Sequence, residues 1–417
     1  MVLELSPEEY SYELLSQYLK SEGEGSWGKQ SAYSVAWQYL IYNLIFQKVV
    51  ENKRGLAVGS AKDIYIYVRE NFDTRELNPI GILVSYLKKL ERVKLDSQEG
   101  LIRAKELQSL YSLEEIKKLI PSLRRVLSKV RMKVLIDELD KGWDNSEDAK
   151  YFVAGLFQAT QKINLISPNL KVYVSIRQEL FDNIPQIYED AQKIREDVEV
   201  IRWGKSELLA LIGLRITHSF PETSDLSAVR RWNTVFVGNL ASQNEPSIDY
   251  IINRTQLRPR ELLQFCKLCV EYQSNHQKIN DVAVKSAEIL YSEQRTKDLA
   301  SEYRFQYPNL LDFLEVFRGR QCAFSKDDLD YLLLSIACGE LDVEKAAEWA
   351  VDMDYLELKK ILWQIGFLKA WIPGGTNGNS GAKGAYLGHY EIPTINLENV
   401  QKFRVHPAFA TFLNLQD

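Results

Sequence analysis

The chain has 417 residues, 45% of them hydrophobic and 26% charged, with a formal net charge of −5 and a pI near 5.7. That is a globular composition on a length suited to roughly two or three domains, and its mild acidity excludes a surface that is basic all over, although a local basic face stays open. Four Cys are too few for a disulfide framework, no apolar run reaches membrane-spanning length, and the start MVLELSPEEY lacks the basic and apolar regions of a signal peptide, so the expectation is a cytoplasmic protein without a membrane partner.

Val2–Leu5 reads as the tail of a strand with no earlier strand to pair with. Ser6 as N-cap, Pro7 at the first helical position and Glu8 and Glu9 in the first turn then open a helix, Tyr10 to Lys20. Gly23, Gly28 and Lys29 have the spacing of a phosphate-binding Gly-x4-Gly-Lys loop. However, Gln30 stands where a Mg²⁺-binding Ser or Thr belongs, and a helix rather than a strand feeds the glycines. The stretch therefore reads as a solvated helix–helix loop. The next helix, Ala32 to Val50, carries Tyr33, Trp37, Tyr39, Tyr42 and Phe46 at spacings that suit a core. Residues 51–130 read as helices, clearest at Ile80 to Leu90 and at Ser112 to Lys129, the latter with a capping-box start. Arg103, Lys117, Lys118, Arg124 and Arg125 fit a solvated helix face.

The stretch MKVLIDELDKGWD, Met132 to Asp144, is the centre of the chain's chemistry. A short apolar run suits a parallel strand buried on both faces, and it ends in Asp137 and Glu138. Carboxylates at the C-terminal end of such a strand stand where open α/β sheets bind ligands. There the Asp can hold Mg²⁺, directly or through water, and the next acid can polarise an attacking water. The plainer alternative is a buried strand ending in a solvated acidic turn. A helix, Ala149 to about Asn164, leads to a second strand, Val172 to Ile176, ending in Arg177. Strand, helix, strand at this spacing is a βαβ unit, which puts Arg177 on the same sheet edge as the two acids. A third strand is expected at Val198–Ile201, succeeded by a helix capped by Ser206.

From about Asp225 the pattern is helical, and Pro259 sits in a first turn between Arg258 and Arg260. Cys266 and Cys269 lie mid-helix without a second ligand pair and read as small core residues. Helices are expected at Leu310 to Phe317, Asp327 to Cys338, Val343 to Ala350 and Tyr355 to Ile365, the last capped by Gly366. Strand-like runs at Phe367 to Ile372, Tyr386 to Ile392 and Lys402 to Val405 surround a Gly/Asn-rich loop, Gly374 to Gly388, whose only cation is Lys383. Helices leading into such a hairpin point to a winged helix, closed by an apolar terminal helix at His406–Phe409. His218, His276, His389 and His406 show no metal spacing.

VLIDELD, SIRQELF, the third strand with Trp203 just after it, and LRPREL occur in that order. Together they resemble the Walker B, sensor-1 and sensor-2 elements of AAA+ and STAND-type P-loop ATPases. The nearest likeness is to a poorly characterised bacterial group with a VLIDELDxGWD box and an RPRDL-like box. The chain is also similar to the ATPase core of origin-recognition-type proteins. The resemblance covers roughly residues 1–280, and the C-terminal region more loosely. It implies an α/β P-loop NTPase-like parallel sheet flanked by helices over residues 1–217, a helical lid over 218–287 and a winged-helix-like domain over 288–417. By the same resemblance Asp137 serves Mg²⁺, Glu138 activates water, Arg177 senses the γ-phosphate, and Arg258 or Arg260 reaches back from the lid to ATP. The implied partners are a nucleotide, further copies of the chain, and a protein or DNA at the C-terminal domain.

One departure stands out. Such ATPases open on a strand, a Walker A loop and a helix, and MVLELSPEEY matches the segment that normally succeeds that unit. Either the chain is a shortened product or the loop has been lost, and weak nucleotide binding with little hydrolysis is expected. The family's missing strand is expected beside the acidic strand, so that its loss exposes an apolar sheet edge. Two functions compete: an ATP-dependent molecular switch, and a non-enzymatic winged-helix protein that binds DNA or a protein and uses the ATPase fold as scaffold.

Overall fold

The computed structural model describes residues 1–5, 26–52, 61–72, 82, 86, 113–139, 146–182, 184, 196–242, 244–273, 278–304, 306–341, 347–374 and 384–416. The helix expected over 10–20, most of that over 80–90, Gly23, Arg103, residues 140–145, His276 and Lys383 lie outside them. The chain forms two compact units, Met1–Val200 and Ile201–Asp417. Positions 217 and 287, the domain ends expected from sequence, fall inside helices of the second unit.

The first unit is mixed α/β. In chain order it contains β1 (Val2–Leu5), α1 (Ser26–Glu51), α2 (Lys62–Asn71), α3 (Glu114–Leu127), β2 (Met132–Ile136), α4 (Glu147–Asn164), β3 (Leu170–Val174) and α5 (Gln178–Asp182). The three strands form one sheet in the order β1-β2-β3, and both pairings are parallel. So β1 finds its neighbour in a strand that comes far later in the chain. The acidic strand β2 is flanked on both sides, which leaves no place beside it for a further strand. Among the described strands, β1 and β3 are the outer ones.

Two strand expectations are corrected. β2 is not buried on both faces: Met132, Val134 and Ile136 are buried, whereas Lys133 and Leu135 are exposed. β3 repeats this pattern, with Leu170 and Val172 inside and Lys171 and Tyr173 outside. Among the described residues, helices cover one face of the sheet, and Lys133, Leu135, Lys171 and Tyr173 on the other are exposed. Residues 196–201 form no strand, and Val200 and Ile201 are 52% and 81% exposed. A strand exists only through its ladder, and no described strand pairs with this run.

The helices behind the sheet pack closely because Gly155 on α4 has no side chain. A Cβ there would lie 2.6 Å from the Tyr33 Cβ and 2.9 Å from the Ser34 backbone N on α1. The Trp37 indole N–H donates to the Phe152 carbonyl at 3.0 Å, and the two rings sit 4.8 Å apart. The aromatic stripe of α1 is therefore core. Gly28 and Lys29 belong to the first turn of α1. Ser146 caps α4 by accepting from the Ala149 N–H. At the other end, the Asn164 side chain bonds both the N–H and the carbonyl of Val172, tying α4 to β3.

The second unit is mostly helical. It contains α6 (Lys205–Ser219), α7 (Ala228–Val235), the two-residue strands β4 (Asn239–Leu240) and β5 (Glu245–Pro246), α8 (Ser247–Ile252), α9 (Pro259–Glu271) and α10 (Asp281–Glu302). Then come α11 (Leu310–Glu315), β6 (Ala323–Ser325), α12 (Lys326–Ala337), α13 (Tyr355–Gln364), β7 (Leu368–Ile372), β8 (Ala385–Gly388), β9 (Lys402–Val405) and α14 (Pro407–Ala410). Gly204, not Ser206, is the N-cap of α6. A four-stranded antiparallel sheet has the order β6-β9-β7-β8. β6 has no counterpart among the expected strands, and the helix expected at Val343–Ala350 is described only as a 3₁₀ turn at Glu348–Ala350. One apolar core runs from Leu208 to Leu413.

α10 lies at the centre of this core and carries polar groups on its buried side. Arg295, 3% exposed, meets Glu261 at 3.0 Å and donates to the Gln256 side-chain oxygen at 2.9 Å. Gln256 in turn donates to the carbonyls of Ile365 and Gly366 at the end of α13. Gly366 has φ +75°, the left-handed conformation that glycine adopts freely. Glu288 bonds Arg254 at 2.5 Å, and Thr411 donates to it from the segment after α14 at 3.3 Å. Buried charges of this kind persist when they are paired and hydrogen-bonded.

Candidate functional site

The acidic turn is built directly on the sheet. The Asp137 N–H donates to the Leu5 carbonyl at 3.1 Å, so β1 still holds the chain one residue past β2. One Asp137 carboxylate oxygen accepts from the Glu138 N–H at 2.8 Å. Glu138 takes φ +62°, a left-handed conformation that costs a non-glycine residue about 1–2 kcal/mol. Leu139, only 7% exposed, anchors the turn in the core. Asp137 is exposed and Glu138 half-buried.

On the neighbouring strand, the Ser175 N–H donates to the Ile136 carbonyl at 2.8 Å, carrying the ladder one step beyond β3. The pairing of Ile136 with Val174 sets Ser175 level with Asp137. Arg177 comes two residues on, exposed, and its carbonyl accepts from Phe181 in α5. Asp137, Glu138 and Arg177 therefore leave the sheet at one rim, the C-terminal ends of parallel strands. Two carboxylates and a guanidinium on one rim can bind a cation and an anion side by side, as a metal-bound phosphate requires. Among the described residues no Gly-rich loop joins a strand to a helix N-terminus.

The two arginines of the LRPREL stretch belong to the second unit and differ in setting. Arg258 is the N-cap residue of α9. Its guanidinium donates to both carboxylate oxygens of Glu302, at 3.2 and 3.1 Å, and lies 3.9 Å from Glu261. Arg260 is exposed. Leu257, with φ +54°, makes the bend before Pro259. Of the pair, Arg260 is the one held by no carboxylate among the described residues.

Sequence reasoning missed the polar core of the second unit. Its signal was present: Glu288, Ser292 and Arg295 have helical spacing on the same side of α10 as Ala287, Tyr291 and Leu299. Burial acts to raise the Glu288 carboxyl, but Arg254 and Lys285 outweigh it and hold the group below its ordinary value. Burial pushes the Cys266 thiol up to about 12, which fits a packing role. No His, Cys, Asp and Glu cluster suited to a metal occurs among the described residues.

Residues 206–300 match the family described as the FunZ-associated C-terminal helical domain. The match begins in the first turn of α6 and ends within the last turn of α10. Over 319 residues, 74% of this chain, the sequence is 21% identical to the putative transposon gamma-delta 80.3 kDa protein of Escherichia coli strain K12. That alignment spans 44% of the transposon protein, so the chain corresponds to less than half of its length. No solved structure matches.

Proposed function

We propose that the chain is a nucleotide-responsive switch of the P-loop ATPase kind, AAA+ or STAND-like, working in the cytoplasm on ATP and Mg²⁺. The observation that carries the reading is the shared rim of Asp137, Glu138 and Arg177. Asp137 serves Mg²⁺, directly or through water, and Glu138 polarises the attacking water. Arg177 meets the charge that builds on the transferred phosphoryl group. Arg260, exposed at the start of α9, is the better of the two lid arginines for reaching a nucleotide, because Arg258 is engaged by Glu302. Low turnover is expected of these residues on their own, since most phosphate contacts in such enzymes come from a Gly-rich loop and none joins a strand to a helix among the described residues.

Equilibrium dialysis with Mg²⁺-ATP, together with a phosphate-release assay, tests this reading. Bound ATP is expected at millimolar concentration. Glu138→Gln is expected to keep or raise retention while lowering turnover by about a hundredfold or more. Absence of binding overturns the proposal, and unchanged turnover removes Glu138 from it.

A second reading rests on α11, β6, α12, α13 and the β7–β8 hairpin, an order that resembles a winged helix with β9 added to its sheet. In that reading the C-terminal part docks on a protein or on DNA while the α/β unit serves as scaffold. The face of α13 favours a protein. Lys359 is fully buried beside Asp330, and exposed Lys360 lies 3.5 Å from Glu357, so little positive charge is left for phosphates.

A further inference from the structure

We propose that residues 407–416 are a strap pinned by His406, and that a second proton on this buried imidazole takes the strap off α10 and the start of β6 as one unit while the rest of the second unit keeps its fold. His406 is fully buried. It is the N-cap residue of α14, where its Nδ1 accepts from the Ala408 N–H. Its Nε2 meets the Tyr390 hydroxyl, which also accepts from the Lys369 Nζ at 3.2 Å. A neutral ring with its proton on Nε2 satisfies both contacts. A second proton, taken from solvent, has only Nδ1 to go to. There it faces the Ala408 N–H, donor against donor, and the cap of α14 is lost.

The surroundings offer the new charge no partner. Lys369 on β7, Arg295 on α10 and Arg254 after α8 all act on the ring as cations. Each already holds a carboxylate: Glu391 at 3.1 Å, Glu261 on α9 at 3.0 Å and Glu288 on α10 at 2.5 Å, respectively. Tyr291 on α10 donates to the Arg254 carbonyl at 2.9 Å. Among the described residues no carboxylate contacts the imidazole. The Thr255 backbone favours the second proton, but burial, Lys369, Arg295 and Arg254 outweigh it and hold the ring well below its ordinary range.

The strap is held by directional bonds from three neighbours. On α10, Glu288 accepts from the Thr411 hydroxyl at 3.3 Å and Ser292 from the Phe412 N–H at 3.0 Å. After α11, Arg318 donates to the Phe412 carbonyl at 2.6 Å and the Gly319 N–H to the Leu413 carbonyl at 2.9 Å. Before β6, the Gln416 N–H donates to the Arg320 carbonyl at 2.9 Å and the Cys322 N–H to the Gln416 carbonyl at 2.7 Å. Phe409 and Leu413 are fully buried, so opening uncovers apolar surface and is rare at neutral pH. Once the strap is open, His406 reaches water and takes up a proton below about pH 6.5. Acid therefore favours the open form, by about tenfold for each pH unit below that value.

Hydrogen–deuterium exchange of the full chain at pH 7.5 and 5.5, corrected for intrinsic exchange and run without nucleotide, reads the opening independently of the ATPase proposal. Protection over residues 407–416 and 319–322 is expected to fall about tenfold at the lower pH, while α9 and β7 keep theirs. His406→Asn, which keeps an acceptor for Ala408, is expected to remove the pH dependence. Cys322 gives a second reading on the unaltered chain, since it is 6% exposed beneath the Gln416 bond. Its labelling by a thiol reagent, relative to that of exposed Cys338 in the same reaction, is expected to quicken about tenfold at pH 5.5. Unchanged protection with an unchanged labelling ratio overturns the proposal. So does a pH dependence that survives His406→Asn, or an equal loss of protection in α9 and β7, which means that the unit yields as a whole.

Discussion

Glu138 shows how one residue carries a conformational cost beside the chemical task proposed for it. Its φ of +62° is strained for any residue with a Cβ. The strain is held by the Leu5 carbonyl on one side and buried Leu139 on the other. Replacing it with glycine relaxes the turn, so Glu138→Gly is expected to raise stability by about 1 kcal/mol in thermal melts while removing any turnover.

His406 is the second residue whose setting has measurable consequences. Its Nδ1 accepts from the Ala408 N–H at 3.1 Å, which leaves the proton on Nε2, 3.0 Å from the Tyr390 hydroxyl. Burial, with Lys369, Arg295 and Arg254 nearby, holds the imidazole well below its ordinary pKa. The folded state therefore keeps His406 neutral while the unfolded chain takes up a proton below about pH 6.5. Stability from this group is complete above that pH and is lost on acidification, by up to about 1.4 kcal/mol per pH unit. Melting between pH 7.5 and 5.5 is expected to show this slope, and His406→Asn, which keeps an acceptor for Ala408, is expected to flatten it.

At the scale of elements, the α1–α4 contact decides whether the first unit has a core. The helices approach at Gly155, where a Cβ would lie 2.6 Å from the Tyr33 Cβ and 3.0 Å from its carbonyl carbon. Alanine improves helix propensity by about 1 kcal/mol. Pushing two backbones apart costs about 1–3 kcal/mol. Gly155→Ala is therefore expected to lower stability by up to about 2 kcal/mol, read by urea unfolding monitored through circular dichroism. In the second unit the comparable element is α10, whose Glu288, Ser292 and Arg295 reach α14 and its neighbours as well as the turn before α9. Apolar packing alone is tolerant of small shifts. Directional bonds from one helix to several others fix where each of them ends.

At the scale of the molecule, the two units have separate cores, one containing β1 to β3 and the other running from Leu208 to Leu413. A core that is complete within one stretch of chain can fold from that stretch. A fragment spanning Ile201–Asp417 is expected to be monodisperse and to unfold in one cooperative transition by calorimetry. A molten fragment without a transition contradicts this. Within that fragment the portion matching the FunZ-associated helical domain and the C-terminal sheet share one core, and Gln256 bonds both Ile365 and Gly366 across it.

By itself the sequence determined the local events. MKVLI running into Asp137 and Glu138 marked a strand with acids at its end, and the βαβ spacing placed Arg177 on the same rim. The cap at Gly366 set a helix end, because capping depends on a few neighbouring residues. Only the tertiary structure decided what depends on partners distant in the chain. Leu135 and Tyr173 look like core in sequence because an apolar residue on an open face and one on a packed face are written alike. Val198–Ile201 has strand composition but no ladder, and a strand is a property of pairs. Arg258 and Arg260 are two positions apart in chain order. Glu302, 44 residues from Arg258, engages the first and leaves the second to solvent.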